Sequence, residues 1–498
     1  MRTVTKATAL HSGTAGHADG GWTARLLAIQ RTNPLLPFAG IALLGAVFGI
    51  VIAASELNSL YLCGAAIGCA FILYDFRIGV VLLIVLMPIS GSAVFPHEML
   101  GVRGLNPLNV LLTATLGSYL LRGLFDGSLR RFVPQPLLWL YIVPILVAGA
   151  IGSRHVDDIV PAFYMHKMLE FNNVAGYLRD MLLKPLLLVL FALLVGAAVA
   201  RSTRPERFLA PTLIAIWVMG SMVIVFVYLY GVSLGEISSS RSREFLSALG
   251  MHANELGRLY AVAYALLLFT WAESKQLGLR VVLVASMGLV VVALVLTFSR
   301  GAFVGLILVN VLYLLWQRNA RALIFLGAVV AAVPFVLPDA VYDRITTGFE
   351  GGLNAVSAGR IEGLWLPLLP EVARDPVFGS GLGSILWSDV MRTAGGGTVL
   401  GTTHPHNAYL QALLDMGIVG LVCVGGYFAH VWSELRVLTR DPTLSPILRG
   451  FCEGAAAGLL AFLIASVTDG SLTPRPEQSF LWLAIGIMYG LRATRAVR

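Results

Sequence analysis

Two histidines in the C-terminal third are the residues best suited to chemistry. His404 and His406 lie within residues 402–407 (TTHPHN), immediately before an apolar segment that predicts a membrane-spanning helix. Imidazole exchanges protons near neutral pH, so either ring suits a general base. His406 adjoins the helix and is the stronger candidate, while His404 is expected to hold substrate or to tune His406. The simpler alternative is a pair of interfacial histidines bonded to water or to the backbone.

Residues following the histidines are expected to support them. Asn407 can hydrogen-bond and orient a neighbour, and Gly417 and Gly420 form a Gly-x-x-Gly step that predicts close packing of another helix. Asp415 lies in the same predicted helix, where an acid is a candidate for function. At about 100° per residue it falls near the face opposite His406. We therefore predict a structural contact between Asp415 and another helix, and no direct pair with His406.

Arginines on the predicted outer side are candidates for binding an anion. Arg300 lies in a tight hairpin, and Arg360 follows Ser357, a possible cap of a helix. A guanidinium near a helix N-terminus suits a phosphate, whereas a single arginine could equally snorkel or form a salt bridge. The outer acids contain no Asp-x-Asp motif, so we expect neither a metal nor a cofactor. The candidates are Arg300, Arg360, Arg258, Arg243 and Arg241.

The composition indicates the membrane class that must position these residues. Of the 498 residues, 57% are hydrophobic and 12% are charged, against about 25% charged in a soluble protein. Long apolar runs predict an all-α polytopic integral membrane protein with about twelve to fourteen spans, each of about 20 residues. The fourteen candidate spans are 36–54, 58–74, 78–95, 107–121, 136–152, 181–200, 208–232, 255–272, 280–298, 301–316, 322–338, 407–432, 450–467 and 479–491. Lysine and arginine recur in the short loops of one side, which predicts that both termini lie inside. The net charge of +8 is then explained by anionic lipid, and nucleic acid need not be invoked.

The pattern also predicts the organisation of the chain. Outer loops are expected near 153–180, where apolar and charged residues predict a surface-lying amphipathic helix, and near 233–254. The loop over 339–406 is the longest, and loops of that length usually have a function. The predicted parts are a disordered inner tail at 1–34, a helix bundle at 35–338, a large outer loop at 339–406 and C-terminal helices at 407–498.

The motif His406-Asn407-x9-Gly417-x-x-Gly420 resembles the ligase motif of the O-antigen ligase and Wzy-type polymerase superfamily of bacterial envelope glycan assembly. The stretches 298–301, 357–360 and 375–383 are similar to the C-terminal half of that family. The resemblance is specific over about 290–425 and general before it.

The resemblance implies a GT-C-like, metal-independent glycosyltransferase in the bacterial inner membrane, with a large periplasmic loop and its active face periplasmic. Its partners would be an undecaprenyl-diphosphate-linked glycan, an acceptor glycan or lipid A-core, and membrane lipid, with no nucleic acid. Arg300 and Arg360 match arginine-bearing motifs that bind the diphosphate, and His406 matches the histidine that activates the acceptor. Carried over by loop position alone are Arg241, Arg243 and Arg258.

Several functions remain open at this point. The motif favours a ligase, whereas the extra length and number of spans favour a Wzy-type polymerase that joins lipid-linked repeat units of O-antigen or exopolysaccharide. A direct displacement predicts inversion at the anomeric carbon. A transporter of an anion or lipid-linked sugar would place charges or broken helices at the bilayer midplane, but here the polar residues collect on one side. A structural scaffold would leave the histidines without a role.

Overall fold

Apolar helices account for nearly all of the described chain. The computed structural model describes residues 57–93, 98–99, 102–104, 106–125, 132–230, 242–317, 324, 327–328, 352–393 and 402–495. It confirms an all-α polytopic membrane protein, because six helices in these ranges are long and apolar enough to cross a membrane. The predicted tail at 1–34 and the first predicted span, 36–54, lie outside the described residues, as does nearly all of the span predicted at 322–338.

The principal helices are numbered in chain order, and all except α10 coincide with predicted spans. They are α1 Leu57–Tyr74, α2 Phe76–Leu86, α3 Pro107–Phe125, α4 Gln135–Asp158, α5 Val174–Ala200, α6 Pro205–Leu229, α7 Ala253–Glu273, α8 Leu277–Leu296, α9 Arg300–Gln317, α10 Leu366–Arg374, α11 Ala408–Thr439, α12 Pro446–Ala465 and α13 Ser479–Arg495.

Short elements connect the principal helices. Two strands, β1 Glu98–Met99 and β2 Val102–Arg103, pair antiparallel. A π-helical turn, Ile361–Trp365, leads directly into α10. The other short helices are Met87–Ile89, Pro161–Met165, Ser242–Leu249, Gly352–Val356, Ser384–Trp387, Asp389–Thr393 and Pro476–Gln478.

Close glycine contacts bring the central helices together. Helix α7 is buried on every side over most of its length, as expected of a helix that is apolar all round. A Cβ at Gly454 of α12 would lie 2.5 Å from the carbonyl oxygen of Ala265 in α7. Likewise, a Cβ at Gly486 of α13 would lie 2.4 Å from the carbonyl oxygen of Ala192 in α5. Only glycine permits these backbone approaches, and they bring the start of α7 beside the segment that joins α12 to α13.

The connection between α4 and α5 corrects the amphipathic-helix prediction. Instead of one surface helix, it contains the short helix Pro161–Met165, and Lys167, two residues farther on, has a φ of +53°. Phe163 and Phe171 are buried. Their rings fill the core, which lowers their free energy more than a position on the bilayer surface would. The loop is also shorter than predicted, because α5 begins at Val174.

Candidate functional site

The connections at one end of the bundle meet in what we call the loop face, formed by the described residues of 153–173, 242–252, 297–300, 352–407 and 466–478. Asn254 Nδ2, at the start of α7, donates to Asp469 Oδ2 at 2.7 Å. Arg392 Nη2 donates to the carbonyl oxygen of Asp158 at 3.2 Å. These contacts join segments that are distant in the sequence, and the two predicted histidines lie among them.

The structure places both histidines against one carboxylate that sequence reasoning missed. Nδ1 of His406 lies 3.1 Å from Oδ1 of Asp469, and Nε2 of His404 lies 3.6 Å from the same oxygen. The ring centroids of the two histidines are 4.2 Å apart. If Nδ1–H of His406 donates to Asp469, Nε2 keeps its lone pair and can accept a proton. Asp469 lies 63 residues beyond His406, and only its position in an outer loop before Gly470 could have pointed to it.

The backbone at His406 is strained in a way that serves this contact. Its φ is +51°, an uncommon conformation for a residue with a side chain. Such outliers persist where the surrounding structure holds them, and they concentrate at functional sites. Here, the left-handed turn directs the imidazole toward Asp469 while Asn407 starts the next helix.

Burial and charge give the three groups different protonation behaviour. Burial lowers the pKa of His404 to about 4, so its ring is neutral at pH 7. Burial alone would raise the pKa of Asp469, but the contacts with His404 and His406 and the charge of Arg258 hold it well below its usual range. Asp469 is therefore a fixed negative charge that can orient His406 and stabilise its protonated form.

Arg300 and Arg360 remain at the loop face, as the sequence predicted. Arg300 begins α9 after a tight hairpin in which Phe298 has a φ of +49°, and its Nη1 donates to the carbonyl oxygen of Val356 at 3.1 Å. Arg360 Nη1 donates to the carbonyl oxygen of Thr468 at 2.6 Å, one residue from Asp469. Both side chains retain further guanidinium donors, and the two lie on either side of the short helix Gly352–Val356 along the chain.

Arg360 lies among charges of both signs. Burial lowers the pKa of its guanidinium, and the nearby charges of Arg300 and Arg258 add to that effect, whereas Asp469 opposes it. Ser357 Oγ accepts from the amide of Ile361 at 3.3 Å. The N-cap of the π-helical turn is Arg360, however, so the prediction that Ser357 caps this helix is wrong. The helix continues to Arg374.

The other arginines predicted to bind the diphosphate differ from Arg300 and Arg360. Arg258 is 3% exposed and lies between two carboxylates, with Nη2 at 3.3 Å from Glu477 and Nη1 at 3.6 Å from Asp469. Its charge is thus buried and paired with two acids, and its role in binding a diphosphate stays a prediction. Arg243 lies in the short helix Ser242–Leu249, and Arg241 lies outside the described residues.

Asn407 supports the site through the start of α11. Its Oδ1 accepts hydrogen bonds from the amides of Tyr409 and Leu410, each at 3.0 Å, as an N-cap does. The neighbouring group that Asn407 orients is thus the first turn of α11. The cap fixes the direction in which α11 leaves His406.

The prediction that another helix packs against Gly417 and Gly420 is wrong for the described part of the chain. Gly417 has a φ of +63° and a ψ of −168°, which breaks the helical path inside α11. The amide of Ile418 donates to Pro376 O at 2.9 Å, and a Cβ at Gly417 would lie 2.3 Å from Val377 O. The turn at 376–378 therefore occupies the break, which no helical periodicity could predict. Gly420 is buried beside the side chain of Met416.

Asp415 binds the same loop and does not pair with His406. Its Oδ1 accepts from the amides of Gly383 and Ser384, each at 3.1 Å, and from Ser384 Oγ at 2.8 Å. The predicted structural role is confirmed, but the partner is the short helix Ser384–Trp387 at its N-terminus instead of a long helix. Asp415 thus anchors the loop face to α11.

The histidine–carboxylate cluster also has the donors of a metal site. The ligand atoms of His404, His406 and Asp469 all lie within 4.8 Å of one another. Two imidazoles and a carboxylate suit zinc. However, Arg258 already pairs with Asp469, and Arg360 lies beside it. These two positive charges weaken the affinity of the cluster for a metal ion and favour an anionic ligand beside it.

Part of the chain is similar to a known protein family. Residues 285–425 match the family model described as O-Antigen ligase. The matched region contains Arg300, Arg360, His404 and His406, whereas Asp469 lies beyond it. No match was found among curated proteins.

Proposed function

We propose that this chain, whose residues 285–425 match the O-Antigen ligase family model, transfers a glycan from undecaprenyl diphosphate to an acceptor hydroxyl. The observation that carries the proposal is the position of the His406–Asp469 pair beside Arg360, with Arg300 in the same loop face. The pair offers a base, and the arginines offer charge to a diphosphate.

The reaction follows from these groups. Nε2 of His406 accepts the proton of the acceptor hydroxyl as its oxygen forms a bond to the anomeric carbon. The bond between that carbon and the diphosphate oxygen breaks, and the diphosphate leaves with the electron pair. Arg300 and Arg360 stabilise the developing negative charge, and Asp469 stabilises the imidazolium. One displacement of this kind inverts the anomeric configuration.

The site also supports a location and a substrate class. It lies at one end of a bundle of apolar helices, where a lipid tail can remain in the bilayer while its head reaches the loop face. We assign this face to the periplasm and the bundle to the bacterial inner membrane. The acceptor is lipid A-core or another glycan in a ligase, and a second lipid-linked repeat unit in a Wzy-type polymerase.

A gene deletion separates these functions. Envelope glycans are analysed by gel and mass spectrometry, and the deletion is complemented with wild type, His406→Ala or His430→Ala. Long polymer stranded on the lipid carrier with bare acceptor indicates a ligase, and repeat units that never lengthen indicate a polymerase. His430 lies farther along α11 and serves as the matched control, which must restore the glycans. Restoration by His406→Ala would refute the assigned base, and solute uptake by purified protein in vesicles would favour a transporter.

A further inference from the structure

A buried carboxylate beyond the matched region connects to the proposed base. Glu477 lies in the short helix Pro476–Gln478 and is 1% exposed. Its Oε1 is 3.3 Å from Nη2 of Arg258, and its Oε2 has no hydrogen-bond partner among the described residues. A buried carboxylate is costly unless it is paired, and Arg258 is the cation that pairs with this one.

Arg258 is held in place by this carboxylate and by the backbone. Its Nη1 lies 3.6 Å from Oδ2 of Asp469. Gly470, with a φ of +102°, passes so close that a Cβ there would lie 3.1 Å from the guanidinium carbon. The guanidinium is therefore confined between Glu477 and Asp469, and a continuous series of contacts runs from Glu477 through Arg258 and Asp469 to His406.

We propose that Glu477 is a positioning residue for glycan transfer, which holds Arg258 against Asp469 and so keeps Asp469 directed at His406. The proposal rests on the proposed function only in naming His406 as the base. The charged groups that face Glu477 are Arg258 and Glu255 from α7 and Arg475 from its own segment, and Asp469 lies beyond Arg258.

Replacing the carboxylate of Glu477 should slow transfer. Glu477→Gln keeps the size of the side chain and one oxygen acceptor but puts a neutral amide in place of the carboxylate. Arg258 then loses a contact that holds it against Asp469, so Asp469 is directed less well at His406. We expect kcat for transfer to fall by about 10-fold while KM stays near the wild-type value.

The test uses the full-length protein in detergent or lipid nanodiscs. kcat and KM for transfer are measured for Glu477→Gln, for His406→Ala and for the double variant. Glu477→Gln should lower kcat in the wild-type background and have little further effect in the His406→Ala background, because its role passes through His406. Glu453→Gln is the matched control, because Glu453 pairs with Arg436 at 3.5 Å within α12 and α11, and it should leave kcat and KM unchanged.

A second variant keeps the proposal testable if Glu477→Gln does not fold. Glu477→Asp retains the carboxylate on a shorter side chain, so kcat should fall by less than in Glu477→Gln. The proposal is overturned if Glu477→Gln has wild-type kcat, or if it lowers kcat as much in the His406→Ala background as in wild type. A wild-type protein that transfers no glycan would instead refute the proposed function.

Discussion

The indole Nε1 of Trp365 donates a 2.8 Å hydrogen bond to the carbonyl oxygen of Pro405. Pro405 separates the two histidines, and Trp365 ends the π-helical turn that Arg360 precedes. This hydrogen bond thus connects the π-helical turn that follows Arg360 to the turn that carries His406, the proposed base.

Trp365→Phe should loosen this connection while retaining most of the ring packing. Loss of one hydrogen bond of about 1 kcal/mol predicts a fall in kcat/KM of up to about 10-fold. Transfer kinetics and thermal unfolding are measured together. Trp387→Phe is the matched control, because the buried indole N–H of Trp387 has no partner in the described part of the chain. Equal losses in the two variants would contradict a specific role for Trp365.

Removing charge from the arginines should slow transfer itself. Arg300→Gln or Arg360→Gln is expected to lower kcat by about 100-fold, the usual effect of losing one group that stabilises a leaving charge. Arg392→Gln changes a loop-face arginine that bonds to Asp158 and should retain nearly full activity. Steady-state kinetics with lipid-linked donor make the comparison, and a change confined to the acceptor KM would argue against diphosphate binding.

His404 should make the protein less stable in mild acid. Its pKa in the folded protein is lowered to about 4, below the value of about 6.5 in an unfolded chain. The unfolded state therefore binds the proton first as pH falls, so stability from this group is complete above about pH 6.5 and is lost toward pH 4. His404→Gln should lose less melting temperature between pH 7 and pH 4.5 than wild type. Parallel curves for the two proteins would refute this linkage.

Gly417→Ala should destabilise the break in α11. The added Cβ would meet Val377 O at 2.3 Å at a φ of +63°, and we expect a loss of more than about 2 kcal/mol. Gly425 lies on the same helix with nothing within 4 Å of its Cβ position. Gly425→Ala should therefore be neutral or slightly stabilising. Denaturation in detergent compares the variants, and tolerance of alanine at 417 would show that the break is unnecessary.

Metal ions should inhibit transfer instead of supporting it. EDTA is expected to leave the rate unchanged, because the arginines supply the positive charge. Added Zn2+ should bind His404, His406 and Asp469, whose ligand atoms lie within 4.8 Å of one another, and block proton transfer. His404→Gln should weaken that inhibition. Activity lost to EDTA and recovered with Zn2+ would instead assign this cluster to a catalytic metal.

The amino-acid sequence by itself determined the membrane class, most helices and the residues that carry the family motif. Apolar runs of sufficient length must be helical in a bilayer, because their backbone groups have no other partners. Reasoning from neighbouring residues in the chain also predicted the Arg300 hairpin and the location of the histidine pair at the start of α11. Such features depend on neighbours in the chain, which the sequence displays directly.

Only the tertiary structure decided which distant residues meet. Asp469 and Glu477 reach His406 and Arg258 because glycine contacts bring α7 against α12. The same contacts bury Arg258 and pair it with two acids, and the loop at Val377 gives Gly417 a role that helix periodicity hides. A carboxylate in an outer loop has the same local signature whether it is solvated or catalytic, so its partners follow from packing alone.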